Sequence, residues 1–233
     1  MNFTYRKKLI TISVFFLHSL GLFVAFFHKK NQFPFHLPFH LLRFFTWWSV
    51  HSSFLAIFAL AALFWEEKKQ KSSWLSQFIL LSAALFNLVT LLFCLAHLFC
   101  GVLEWENSFF LKFNSLTWHF IAPPLVLYCF YVWGRIDFLK KKIVKSLLFS
   151  FLWPLVYFVY VYFLSWLHTK SKVGLYLKKY PYQLFQFLAR KPALLFLIWL
   201  PVSLVVISAL FWLLIGTKTM IEKRNFFSDI RER

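Results

Sequence analysis

A chain of 233 residues with 61% apolar residues, 23% aromatics and a mean hydropathy of +0.66 has too little polar surface to cover a soluble globule. Its net charge of +18 could suit nucleic acid, but the lysines and arginines cluster at the ends of apolar stretches and not along one amphipathic face. Anionic lipid headgroups at the basic loops are therefore the expected partner, and no nucleic acid is.

A bilayer core takes about 20 apolar residues in a helix. Six segments meet that length, roughly 9–27, 43–65, 75–101, 113–133, 146–167 and 192–216. They predict an all-α polytopic membrane protein, a bundle of six transmembrane helices forming a single domain over 1–233. The first segment follows Arg6, Lys7 and Lys8 as a signal peptide would, but it runs long, meets His28-Lys29-Lys30 and lacks a small-residue cleavage pattern. It reads as an uncleaved span. Most of the basic residues fall in the N-terminus, the 66–74 and 134–145 connections and the C-terminus, which puts both termini in the cytoplasm; the basic segment 168–191 is the exception. The lysine-rich, phenylalanine-rich composition fits a bacterial plasma membrane.

After the first span, Pro34-Phe35-His36-Leu37 and Pro38-Phe39-His40-Leu41 form a tandem repeat whose prolines spoil a helix and whose phenylalanines suit the interface. The second span then opens with a polar run from Arg43 to Ser53. At about 100° per residue Thr46, Ser49 and Ser53 share a face, and His51 points nearly opposite to Thr46. Such a hydroxyl stripe turns toward other helices, either as packing glue or as part of a site.

In the third span Cys94, His97 and Cys100 are spread over about 120° and about 9 Å of rise, too far for all three to close one tetrahedral site. No metal is expected, and His97 is read as a pocket residue. In the fourth span Ser115, His119 and Pro123 share a face, with Asn114 beside them, and Pro123-Pro124 disturbs the backbone just beyond the imidazole. An ionisable side chain within a span is costly and points by default to function. Thr46 and His119 follow connections on one side of the membrane, so they sit at similar depth. No Asp or Glu lies in the middle of a span, which disfavours a proton-coupled transporter. No Walker loop, Gly-x-Ser-x-Gly elbow or His-Glu-x-x-His motif is present, and no cofactor is expected.

Three local patterns carry a family resemblance: Arg43-Phe44-Phe45-Thr46-Trp47; Asn114-Ser115-Leu116-Thr117-Trp118-His119 with Pro123-Pro124 downstream; and Tyr180-Pro181-Tyr182, preceded by Trp153-Pro154-Leu155-Val156-Tyr157. In their order and spacing the chain resembles the androgen-induced and androgen-dependent membrane proteins, six-span threonine hydrolases that cleave fatty acid esters of hydroxy fatty acids, and more closely their bacterial six-span relatives. The resemblance implies a lipid ester substrate, Thr46 as nucleophile and His119 as catalytic base. Ser49, Ser53, Asn114, Ser115 and His97 would line the pocket. The alternative is a non-enzymatic lipid-binding or assembly protein that uses the same polar pocket to hold its helices together.

Overall fold

The structure, a computed structural model, describes residues 3–31, 48–69, 72–99, 109–170, 197 and 200–231. Among them 96% are helical and there is no strand. The helices are α1 (Phe3–Asn31), α2 (Trp48–Lys69), α3 (Trp74–Phe99), α4 (Phe109–Leu116), α5 (Ala122–Trp133), α6 (Ile136–Lys140), α7 (Ile143–Lys170) and α8 (Leu200–Arg231). A single π turn, Thr117–Ile121, joins α4 to α5 without a break.

Six stretches are long and apolar enough to cross a membrane: Lys8–Phe27, Trp48–Lys69, Trp74–Ala96, Phe113–Trp133, Ile143–Tyr160 and Leu200–Arg224. They match the six expected from the sequence, and the chain is an integral membrane protein. The opening of the second span at 43–47 and of the sixth at 192–196 lie outside the described residues.

α3 is the axis of the bundle. Every residue from Leu80 to Asn87 is buried, as required of a helix that is apolar all round. It meets α2, α5, the π turn, α6 and α8. Lipid tails are as apolar as leucine, so helices in a membrane associate through close packing and polar contacts, and small residues let backbones approach. Ala56 and Ala59 of α2 and Ala83 and Ala84 of α3 are fully buried, and α2–α3 is the most extensive helix pair. Phe86, Phe130 and Phe211 fill the larger spaces of the core. Outward-facing phenylalanines such as Phe16, Phe23 and Phe58 meet lipid.

Hydroxyls in the lipid-facing helices have no water to bond. Ser150, Ser208, Thr217 and Thr219 each donate to the carbonyl four residues earlier in their own helix.

One end of the bundle carries a polar collar. The Glu66 carboxylate, at the end of α2, accepts hydrogen bonds from the Ser73 amide, the Ser76 hydroxyl and the Gln77 amide nitrogen. Gln77 Oε1 in turn accepts from the Arg135 backbone at 2.8 Å. The connection 134–145, which reads in sequence as a charged surface run, contains α6, whose Ile136 and Leu139 are buried in the core. At the same end Lys218 of α8 donates to the Tyr131 carbonyl at 2.7 Å and pairs with Glu222 at 3.3 Å.

Candidate intramembrane polar site

About 20 Å along α2 from Glu66 lies a second polar cluster, within the apolar layer. Its centre is Ser53, which is 1% exposed. Trp118 Nε1 lies 2.6 Å from Ser53 Oγ, and His18 Nδ1 lies 2.9 Å from the same oxygen. Indole N–H can only donate, so Ser53 accepts from Trp118, and its second lone pair or its own proton makes the hydrogen bond with His18 Nδ1. His18 Nε2 is buried and has no hydrogen-bond partner among the described residues. Three helices meet at this one oxygen: α1, α2 and the fourth span.

Gly21, one turn beyond His18, makes the meeting possible. A Cβ there would lie 2.8 Å from both Cγ and Cδ1 of Trp118, so the indole lies directly on the glycine backbone. The other side of α2 is also bonded. Ser52 donates to the Ser49 carbonyl at 3.0 Å, and Thr90 Oγ1 lies 3.2 Å from Ser52 Oγ and 3.0 Å from the Phe86 carbonyl. Asn87 donates to the carbonyls of Ser52 and Ala83 at 3.1 and 2.9 Å.

His119 follows Trp118 in the π turn, with ring centroids 5.2 Å apart. The turn has a local cause. Pro123 and Pro124 have no N–H, and a proline ring clashes with the carbonyl four residues earlier. Widening the preceding turn relieves this, and the Ala122 amide bonds Thr117 O, five residues back. His119 Nδ1 lies 3.0 Å from the Ser115 carbonyl and 3.3 Å from Ser115 Oγ. A carbonyl only accepts, so Nδ1 carries the proton in this contact and Nε2 is left as the lone-pair nitrogen. Thr117 Oγ1, in the same turn, is buried without a hydrogen-bond partner among the described residues.

Of the residues singled out in sequence, Ser115 and His119 meet, and Ser53 reaches Trp118 beside them. Ser49 is buried within α2 and Asn114 is half-buried. Thr46, Cys100 and the side chain of His97 lie outside the described residues. His51 packs against the rings of Trp153 and Tyr157 in α7, with centroids 5.5 and 5.4 Å away. Among the described residues no three His, Cys, Asp or Glu side chains could hold a metal ion.

His18 is not singled out in the sequence, and Trp118 has no role there beyond its place in the pattern that ends at His119. His18 is the ionisable group in the middle of the first span, so the rule that singles out His119 would also have flagged it. Its partner Ser53, 35 residues away, belongs to tertiary packing.

No protein-family model, curated protein or solved structure matches the chain.

Proposed function

We propose that this integral membrane protein is a lipid-ester hydrolase with Thr46 as nucleophile and His119 as general base, acting within the bilayer of a bacterial plasma membrane. The observation that carries the reading is the contact of His119 Nδ1 with the Ser115 carbonyl at 3.0 Å, which favours the proton on Nδ1 and so leaves Nε2 as the nitrogen that can act as a base. The π turn that presents the imidazole supports it, because such turns are frequent at functional sites. The sequence resemblance to six-span threonine hydrolases supplies the nucleophile and the substrate class.

A threonine hydroxyl is a weak nucleophile and needs a base beside it. In the proposed cycle the Thr46 hydroxyl adds to the ester carbonyl as His119 Nε2 takes its proton. The tetrahedral adduct expels the alcohol, which receives that proton. Water, deprotonated by the same nitrogen, then attacks the acyl-threonine to release the fatty acid and restore Thr46.

The test is hydrolysis of a panel of lipid esters by detergent-purified protein, beside labelling with a fluorophosphonate. Thr46→Ser should keep labelling and part of the turnover, whereas Thr46→Val should lose both. Turnover by folded Thr46→Val at the parent rate would refute the mechanism.

A second reading has its own observation. The Ser53 hydroxyl is committed to Trp118 and His18, so this part of the hydroxyl stripe acts as a helix tie. In that reading the protein is a non-enzymatic lipid-binding or assembly protein, and the fluorophosphonate leaves it unlabelled.

A further inference from the structure

The groove between α1 and α2 sits at the end of the bundle that carries the polar collar. It encloses about 400 Å³ and is lined by Ile12, Phe15, Ala61, Phe64, Trp65 and Lys68. From Ala61 to Lys68 it extends about 10 Å along the helix. Its walls are apolar and open toward lipid, and Ala61 leaves space between the larger side chains.

The charge at its mouth is unbalanced. Lys8 of α1 is matched by Glu67 of α2 at 3.3 Å. Lys68, which lines the groove, forms no ion pair among the described residues. Lys69 lies over the Trp65 ring at 4.6 Å and adds a second cation at the same level. Trp65 is 61% exposed, as suits an interfacial tryptophan with its ring among headgroups.

We propose that this groove is a binding site for one anionic phospholipid, with an acyl chain against Ile12, Phe15, Ala61 and Phe64 and the phosphate on Lys68. An acyl chain gains no hydrophobic energy by leaving other lipid tails for the groove, so the walls supply shape and the lysines supply selectivity. Phosphate oxygens accept charge-assisted hydrogen bonds from an ammonium group, and each basic residue near the surface favours anionic lipid by about fivefold. The site therefore discriminates by headgroup charge and little by chain type. It begins about 12 Å along α2 from Ser53, reaches Lys68 at about 22 Å and does not depend on hydrolysis.

The experiment reconstitutes the full chain into phosphatidylcholine vesicles containing a trace of phosphatidylglycerol with a photoreactive acyl chain, and maps the adducts by peptide mass spectrometry. A phosphatidylcholine probe with the same chain is run in parallel. Adducts should fall on the α1 and α2 lining residues, at least fivefold more with phosphatidylglycerol. Lys68→Gln with Lys69→Gln should bring labelling down to the phosphatidylcholine level. Ala61→Trp, which fills the groove from an exposed position, should abolish it for both probes in protein with an unchanged gel-filtration profile. Equal labelling by the two probes, or a preference for phosphatidylglycerol that survives loss of both lysines, overturns the proposal. Cross-linked dimers in place of lipid adducts overturn it too, because a second copy of the chain would then fill the groove.

Discussion

One substitution made at two glycines should act with opposite sign. Glycine within a helix costs about 1 kcal/mol relative to alanine, so Gly→Ala is stabilising wherever the methyl group has room. Gly216 of α8 has that room, because a Cβ there would meet nothing within 4 Å. Gly216→Ala should therefore gain about 1 kcal/mol. Gly21 has none. Its new methyl group would lie 2.8 Å from Cγ and Cδ1 of Trp118, atoms at the root of the indole that cannot swing aside like a side-chain tip. The ring is also 7% exposed and tied to Ser53. Overpacking of this kind costs about 1–3 kcal/mol, and loss of an interhelical hydrogen bond in a membrane adds about 0.6 kcal/mol or more. The net effect of Gly21→Ala should be a loss of about 1–2 kcal/mol, after the helix-propensity gain is subtracted. Reversible unfolding by sodium dodecyl sulfate titrated into mild-detergent micelles, followed by tryptophan fluorescence, reads both variants on one scale. A Gly21→Ala protein as stable as the parent would show that α1 and the π turn are not clamped through Trp118.

Ser53→Ala should lose about 1–2 kcal/mol in the same titration, because Trp118 Nε1 and His18 Nδ1 both lose their buried partner; an unchanged midpoint would remove Ser53 as the tie between three helices. Glu66→Gln should cost about 1–3 kcal/mol, since an amide turns a donor toward Gln77 where the carboxylate accepted; a midpoint within error of the parent would contradict the collar. In the reaction, the Thr46→Val and His119→Gln pair should cost little more turnover than the worse single change, as residues acting in one step are strongly non-additive; multiplicative losses would mean two independent roles. Cysteines at 46 and 119 should cross-link and those at 51 and 119 should not, because a disulfide needs Cα atoms within about 7 Å; equal cross-linking would contradict the separation of His51 from the site. In a cysteine-free background, probes at Ser72 and Ser171 should react from opposite sides of the membrane, and labelling from one side would refute the connection between them as an odd number of spans.

The six spans were legible because length and hydropathy decide them almost alone. The fourth span shows how far local reasoning reaches: Pro123-Pro124 announced a disturbed backbone, and the π turn lies immediately before it. That Ser115 and His119 would lie together follows from their spacing of four residues, whereas the bond of Nδ1 to the Ser115 carbonyl is seen only in the structure. What the sequence did not convey was which helices touch. The ionisable ring of His18 marks it as a residue of interest, but its partner appears only when α1 is laid against α2 and Trp118, and nothing in the local pattern shows that the Trp118 N–H reaches Ser53. These contacts join positions 35 and 65 residues apart, and no periodicity within a single helix encodes them.

The π turn also bears on how this bundle can change over generations. An i to i+5 turn holds one residue more than the α-helical turn it replaces. A single-codon deletion between Thr117 and Ile121 would shorten the helix by that residue and restore a continuous α-helical register. It would rotate the imidazole by about a quarter turn relative to α5, while Val126, Cys129 and Phe130 could keep their places in the core. The same event would displace Trp118 from Ser53 and Gly21, so the position of the histidine and the tie between α1, α2 and the fourth span are inherited as one unit, while the packing of α5 is separable from both.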